Sequence, residues 1–172
     1  MIALASALIV QVEDYEGLEN CTGYLELQNG EKVNLTIGKV QQVLSSSISS
    51  EEKLTAKDIE TVVQIDATEK MSFVVKSPKK MTTRFALIKL KENKGKYTAV
   101  YHYSALNPES NETMQFIPTS FQEIKKELGI YRMIVNEKLS QGRYVIVFGQ
   151  NNGKGFGAGY LDSKQAVFFD IK

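Results

Sequence analysis

The chain has 172 residues, 42% of them hydrophobic and 24% charged, with 21 basic against 20 acidic side chains, one cysteine and one histidine. These proportions suit one globular domain or two small ones, and they exclude a disordered chain, a collagen and a multi-span membrane protein. Cys21 has no partner for an intrachain disulfide, Cys21 and His102 fall short of the about four ligands of a structural zinc site, and a net charge of +1 singles out no polyanionic or membrane partner for the chain as a whole.

Met1 to Val12 carries no charge. It is too short for a membrane span, which takes about 20 apolar residues. Two readings stand. The small residues Ala5-Ser6-Ala7 fit the cleavage pattern of a secretory signal, here a truncated one because the basic start is missing. Alternatively, the alternation of Leu8, Val10 and Val12 with Ala7, Ile9 and Gln11 fits a first strand.

Residues 23–37 carry the clearest local pattern. Leu25 and Leu27 alternate with Glu26 and Gln28, and Val33, Leu35 and Ile37 alternate with Lys32, Asn34 and Thr36. Period two gives each run one buried and one wet face. A two-residue turn at Asn29-Gly30 would set Leu27 against Lys32 and mix the faces. A three-residue loop, Gln28-Asn29-Gly30, sets Leu25 opposite Val33 and Glu26 opposite Lys32. That pairing joins like with like in burial and opposite charges across the pair, with Gly30 in the left-handed position such loops need.

Further along, Ser45–Ser50 reads as a loop, and Ser50-Glu51-Glu52-Lys53 as the start of one helical turn. Ile59–Ile65 reads as a strand. A break near Thr68-Glu69-Lys70 divides a small β unit, residues 13–68, from a larger one, residues 69–172. A unit of the smaller size is marginal alone, so it is expected to pack on the larger one or belong to it.

Met71–Val75 and Phe85–Leu90 read as strands, with a turn at Asn93-Lys94-Gly95. Tyr97, Ala99, Tyr101 and Tyr103 share one face of the next strand. Ser120 followed by Glu123 resembles a capping box; Phe121, Ile124 and Leu128 recur at helical spacing, and Gly129 is placed to end the element. The spacing predicts one short helix over residues 121–128. Strands are expected again at 131–135, 144–148, 160–161 and 166–171. About nine short strands without βαβ alternation predict a mostly-β fold: an antiparallel β-sandwich, immunoglobulin-like or jelly-roll-like, with that one helix.

Within the last part, Leu139-Ser140-Gln141-Gly142-Arg143-Tyr144-Val145-Ile146 resembles the Leu-x-x-Gly-x-Tyr turn and strand of secreted bacterial β-sandwich domains. The likeness covers eight residues and names no family.

Catalytic signals are sparse. The glycines at 153, 155, 157 and 159 lack the Walker pattern, since Lys154 is followed by Gly155, and strand-like residues follow where a dinucleotide fingerprint needs a helix. They read as a hairpin tip. His102 sits mid-strand with no nucleophile elbow in the chain, and Cys21 reads as a small buried thiol. No enzyme, cofactor or metal site is expected.

Charge distribution is the strongest feature. Residues 76–96 hold Lys76, Lys79, Lys80, Arg84, Lys89, Lys91, Lys94 and Lys96 against Glu92 alone, while the remainder of the chain is net negative. Lysines can simply guard strand edges. Beside tyrosines on a sheet they can also hold a polyanion. Lys79, Lys80, Arg84, Tyr101 and Tyr103 are therefore the candidate ligand-binding residues. The expected function is a binding or structural module of the periplasm, cell surface or extracellular space. Its partner would be another surface protein or, alternatively, an anionic glycan or nucleic acid.

Overall fold

In a computed structural model of the chain, residues 15, 17–44, 50–57, 59, 61–77, 83–103, 116–150 and 165–172 are described. Fourteen strands occur among them. They are β1 (Thr22–Glu26), β2 (Lys32–Asn34), β3 (Thr36–Leu44), β4 (Ser50–Lys57), β5 (Gln64–Ile65), β6 (Met71–Lys76) and β7 (Thr83–Lys89). Then come β8 (Lys91–Asn93), β9 (Lys96–Tyr103), β10 (Phe116–Ile117), β11 (Ser120–Lys125), β12 (Ile130–Val135), β13 (Gly142–Gln150) and β14 (Gln165–Ile171). Among the described residues no helix is long and apolar enough to cross a membrane.

The strands form two sheets. The first has five strands in the order β11-β12-β6-β1-β2. The second has nine, running β10-β7-β13-β14-β3-β4-β9-β8, with β5 added in parallel to β14. All other pairings are antiparallel. β7 runs into β8 across Leu90. The first half of this run pairs with β13 and the second half with β9, so the large sheet nearly closes into a barrel. Strands from before and after Thr68 lie side by side in both sheets, as in β1 with β6 and β3 with β14.

Alternation sorts the core into layers. In the second sheet, Ala86, Ile88 and Leu90 of the β7 run, Val145 and Val147 of β13, and Phe168 of β14 point into the barrel with Val40, Leu54 and Ala99. Their neighbours Leu87, Tyr144, Ile146, Phe148 and Phe169 point the other way and meet Leu25, Phe73 and Met133 of the first sheet. The expected sandwich is thus present, and one of its layers is the wall of the near-barrel. Phe73 and Phe169 meet across the layers at 5.0 Å between ring centroids.

The hairpin of residues 22–34 matches its sequence pattern. Leu25 pairs with Val33 and Glu26 with Lys32, and Gly30 has φ +85°. The loop is closed by the Gly30 amide donating to the Leu27 carbonyl. Leu-x-x-Gly-x-Tyr also acquires a structural meaning. Leu139 is buried, and Gly142 takes φ +144°, where an added Cβ would lie 2.9 Å from the Lys89 stem. Tyr144 folds back so that its hydroxyl donates to the Ser140 carbonyl at 2.8 Å, the device of a tyrosine corner.

The helix over 121–128 is overturned. Ser120–Lys125 is β11, paired with β12 through Phe121↔Met133 and Gln122↔Arg132, and only Lys126–Leu128 makes a 3₁₀ turn before Gly129. In a strand, residues three apart fall on opposite faces. Here each face carries one apolar side chain: Phe121 lies against Phe85 at 5.7 Å, while Ile124, with Leu128 of the 3₁₀ turn, packs on the cluster of Tyr15, Tyr24, Val74 and Ile130. A lone helix of this length is marginal, and the β12 ladder outcompetes it. The helical turn expected at Ser50–Lys53 is likewise strand, with Glu51, Glu52 and Lys53 paired to His102, Tyr101 and Val100. Of the strand expected at Ile59–Ile65 the described residues form strand at Gln64–Ile65, with the Val63 carbonyl also accepting from the Asp170 amide. Met1–Val12, Gly153–Gly159 and Tyr160–Leu161 lie outside the described residues. Cys21 is buried, as its sequence context suggests.

Candidate functional site

The basic segment does not form one face. Lys76 belongs to the five-stranded sheet, where its ammonium donates to the Leu18 carbonyl. Lys79 and Lys80 lie outside the described residues. Arg84 falls in β7, paired with Gly149 of β13. Tyr101 and Tyr103 fall in β9, paired with Glu52 and Ser50 of β4. The segment's second half does gather. Lys89 ends β7, Lys91 begins β8, and Lys94 and Lys96 belong to the β8–β9 hairpin, whose two-residue turn is Lys94 (φ 51°) and Gly95 (φ 75°). Lys91, Lys94 and Lys96 are exposed. Because Asn93 pairs with Lys96 and Glu92 with Tyr97, alternation sets Lys91 and Lys96 on the hairpin's outer face and Glu92 with Tyr97 on the barrel side.

Beside this hairpin the barrel opens into a cavity of about 490 Å³ lined by Gln64, Lys89, Glu92, Tyr97, Gln141, Arg143, Asp170 and Lys172, together with Leu90, Gly142 and Ile171. Register builds it. Arg143 and Asp170 are direct cross-strand partners on β13 and β14, Gln64 pairs with Asp170 on the other side, and the Leu90 amide donates to the Arg143 carbonyl.

The centre of the cavity is a flat ion pair. Arg143 Nε donates to Asp170 Oδ1 at 2.8 Å and Nη2 to Oδ2 at 2.9 Å. The guanidinium carbon stands 4.0 Å from the Tyr97 ring centroid, a cation–π contact. The hydrogen bonds to Asp170 push the Arg143 pKa above its ordinary value. Burial opposes them, while the charges of Asp170, Tyr97 and Glu92 act in the same sense. At the rim, the Lys89 ammonium donates to Ser140 Oγ and stands 5.7 Å from the Tyr144 ring. Among the described residues no three His, Cys, Asp or Glu side chains converge as a metal site would require.

The described lining of the cavity comes from residues other than those singled out from the sequence. Arg143 and Asp170 were passed over. One signal for them was available: on β13 a charged Arg143 occupies the same alternate row as Val145 and Val147, where the period predicts an apolar residue.

No protein-family model matches the chain, and no curated protein matches it.

Proposed function

We propose that the protein is a non-enzymatic, extracytoplasmic binding module whose ligand is an extended polyanion held along the β8–β9 hairpin and the adjoining barrel mouth. The observation that carries this reading is the exposed trio Lys91, Lys94 and Lys96 beside a polar cavity at a barrel end. Barrel mouths are common ligand sites. Cations so grouped concentrate anions over a Debye length, roughly 8 Å at physiological salt. Export rests on the uncharged run Met1–Val12, and a mature amino terminus beginning after about Val12 by mass spectrometry would support it.

A second reading has its own support. β8 ends the strand order of the large sheet, and lysines at such an edge discourage pairing with other chains. Heparin chromatography separates the two. Polyanion binding predicts retention at low salt, elution as salt rises, and loss of retention in the double variant Lys91→Glu, Lys96→Glu. A wild-type chain that passes straight through at low salt leaves only edge protection.

A further inference from the structure

The barrel mouth carries a chemical preference that the lysines alone do not. Asp170 occupies Nε and one N–H of Nη2 of Arg143, leaving three of the five guanidinium N–H groups without a partner among the described residues. Each Asp170 oxygen accepts one of these bonds and keeps a lone pair. The exposed amides of Gln64 and Gln141 add a donor and an acceptor each, and Glu92 adds an acceptor. Donors and acceptors thus both line the cavity.

Hydroxyl groups, which both donate and accept, match such a lining. Phosphate and sulfate oxygens only accept: Lys89, Lys172 and Arg143 would serve them, but Asp170, Glu92 and the amide oxygens of Gln64 and Gln141 in the same lining would stay unmatched or repel them. A nucleobase needs an open aromatic face, and one face of Tyr97 already carries the Arg143 guanidinium at 4.0 Å. Lys91 and Lys96 lie outside this lining, on the face opposite Glu92 and Tyr97.

Resting on the polyanion reading, we infer that the ligand is an acidic glycan: one saccharide ring sits in the barrel mouth with its hydroxyls on Arg143, Asp170, Gln64 and Gln141, while neighbouring rings pass over the hairpin and set their acid groups along Lys91 and Lys96 on its outer face. The cavity's volume of about 490 Å³ lies within the range of small-ligand sites. Recognition divides between two surfaces. The hairpin reads charge and the mouth reads hydroxyls.

The test is an amide chemical-shift titration of the full chain with three probes: a heparin hexasaccharide, inorganic polyphosphate and a single-stranded oligothymidylate. The hexasaccharide is expected to move amides of both the hairpin and the mouth, including Gln64, Gln141 and Arg143, and polyphosphate those of the hairpin alone. Gln141→Ala, at an exposed position, should weaken hexasaccharide binding about three- to ten-fold, the worth of a lost hydrogen bond, and leave polyphosphate binding unchanged. Mouth amides moved equally by oligothymidylate or polyphosphate, or a Gln141→Ala chain that binds hexasaccharide like wild type, overturn the glycan assignment while the polyanion reading stands. If none of the three probes binds, both fall together.

Discussion

The interior of the barrel and its mouth are made by the same strands, one step apart along the same inward rows. On β13 the row is Val147, Val145, Arg143; on β14 it is Ala166, Phe168, Asp170; on β9 it is Ala99, Tyr97. Neighbours in a row are about 6.5 Å apart along the strand. Val145, Val147, Ala166 and Phe168 are at most 1% exposed, whereas the Arg143 and Asp170 side chains retain 12% and 24%. Inside, an unpaired polar group would lose its hydration without replacement, and these four described positions are accordingly apolar. One step outward charge becomes tolerable, provided it is paired in two parallel hydrogen bonds. A single two-residue step of the pleat therefore turns a packing position into one that faces the open cavity.

The largest loss of stability is expected from inside the barrel. Phe168→Ala removes a ring with no exposure and should cost about 3–5 kcal/mol in denaturant unfolding. A loss below about 1 kcal/mol would mean that the interior is not packed as described. At the mouth, Arg143→Ala strips Asp170 of both hydrogen bonds and should cost less, about 1.5–3 kcal/mol. Arg143→Lys should restore only part of this, because an ammonium cannot make the planar two-point contact. A larger loss at Arg143 than at Phe168 would reverse the ranking. Gly30→Val, in the other sheet, isolates a backbone effect. At φ +85° a β-branched residue is strained, so about 1 kcal/mol or more should be lost with heparin retention intact. Glu92→Ala marks the smallest change. Exposed at the rim, it should leave stability within about 0.5 kcal/mol and delay elution from heparin, since the one acid of the basic segment is gone.

What could be read from the chain follows from how local each interaction is. The loop Gln28-Asn29-Gly30 and the pairing of Leu25 with Val33 were legible because turn chemistry and face agreement lie within a dozen residues. The mostly-β class was legible because period-two runs recur from Leu25 to Ile171. β11 and β4 misled for one shared reason: Ser120–Glu123 and Ser50–Lys53 carry helix-start residues, while their strand state depends on ladders with β12, β3 and β9 that no local signal announces. The site was harder still. Arg143 and Asp170 are 27 positions apart, and Gln64 and Tyr97 reach them from other strands. The basic segment, compact as a string, splits between two sheets at Lys76 and Lys89.

The most direct test of the central claim is amide hydrogen exchange on the full chain with and without heparin, read by mass spectrometry of peptides. Slower exchange is expected in peptides covering β8, the Lys94-Gly95 turn and the start of β9, and in those covering Gln141–Tyr144, with the five-stranded sheet from β11 to β2 unchanged. Protection confined to that five-stranded sheet, or no protection at all at low salt, would contradict it.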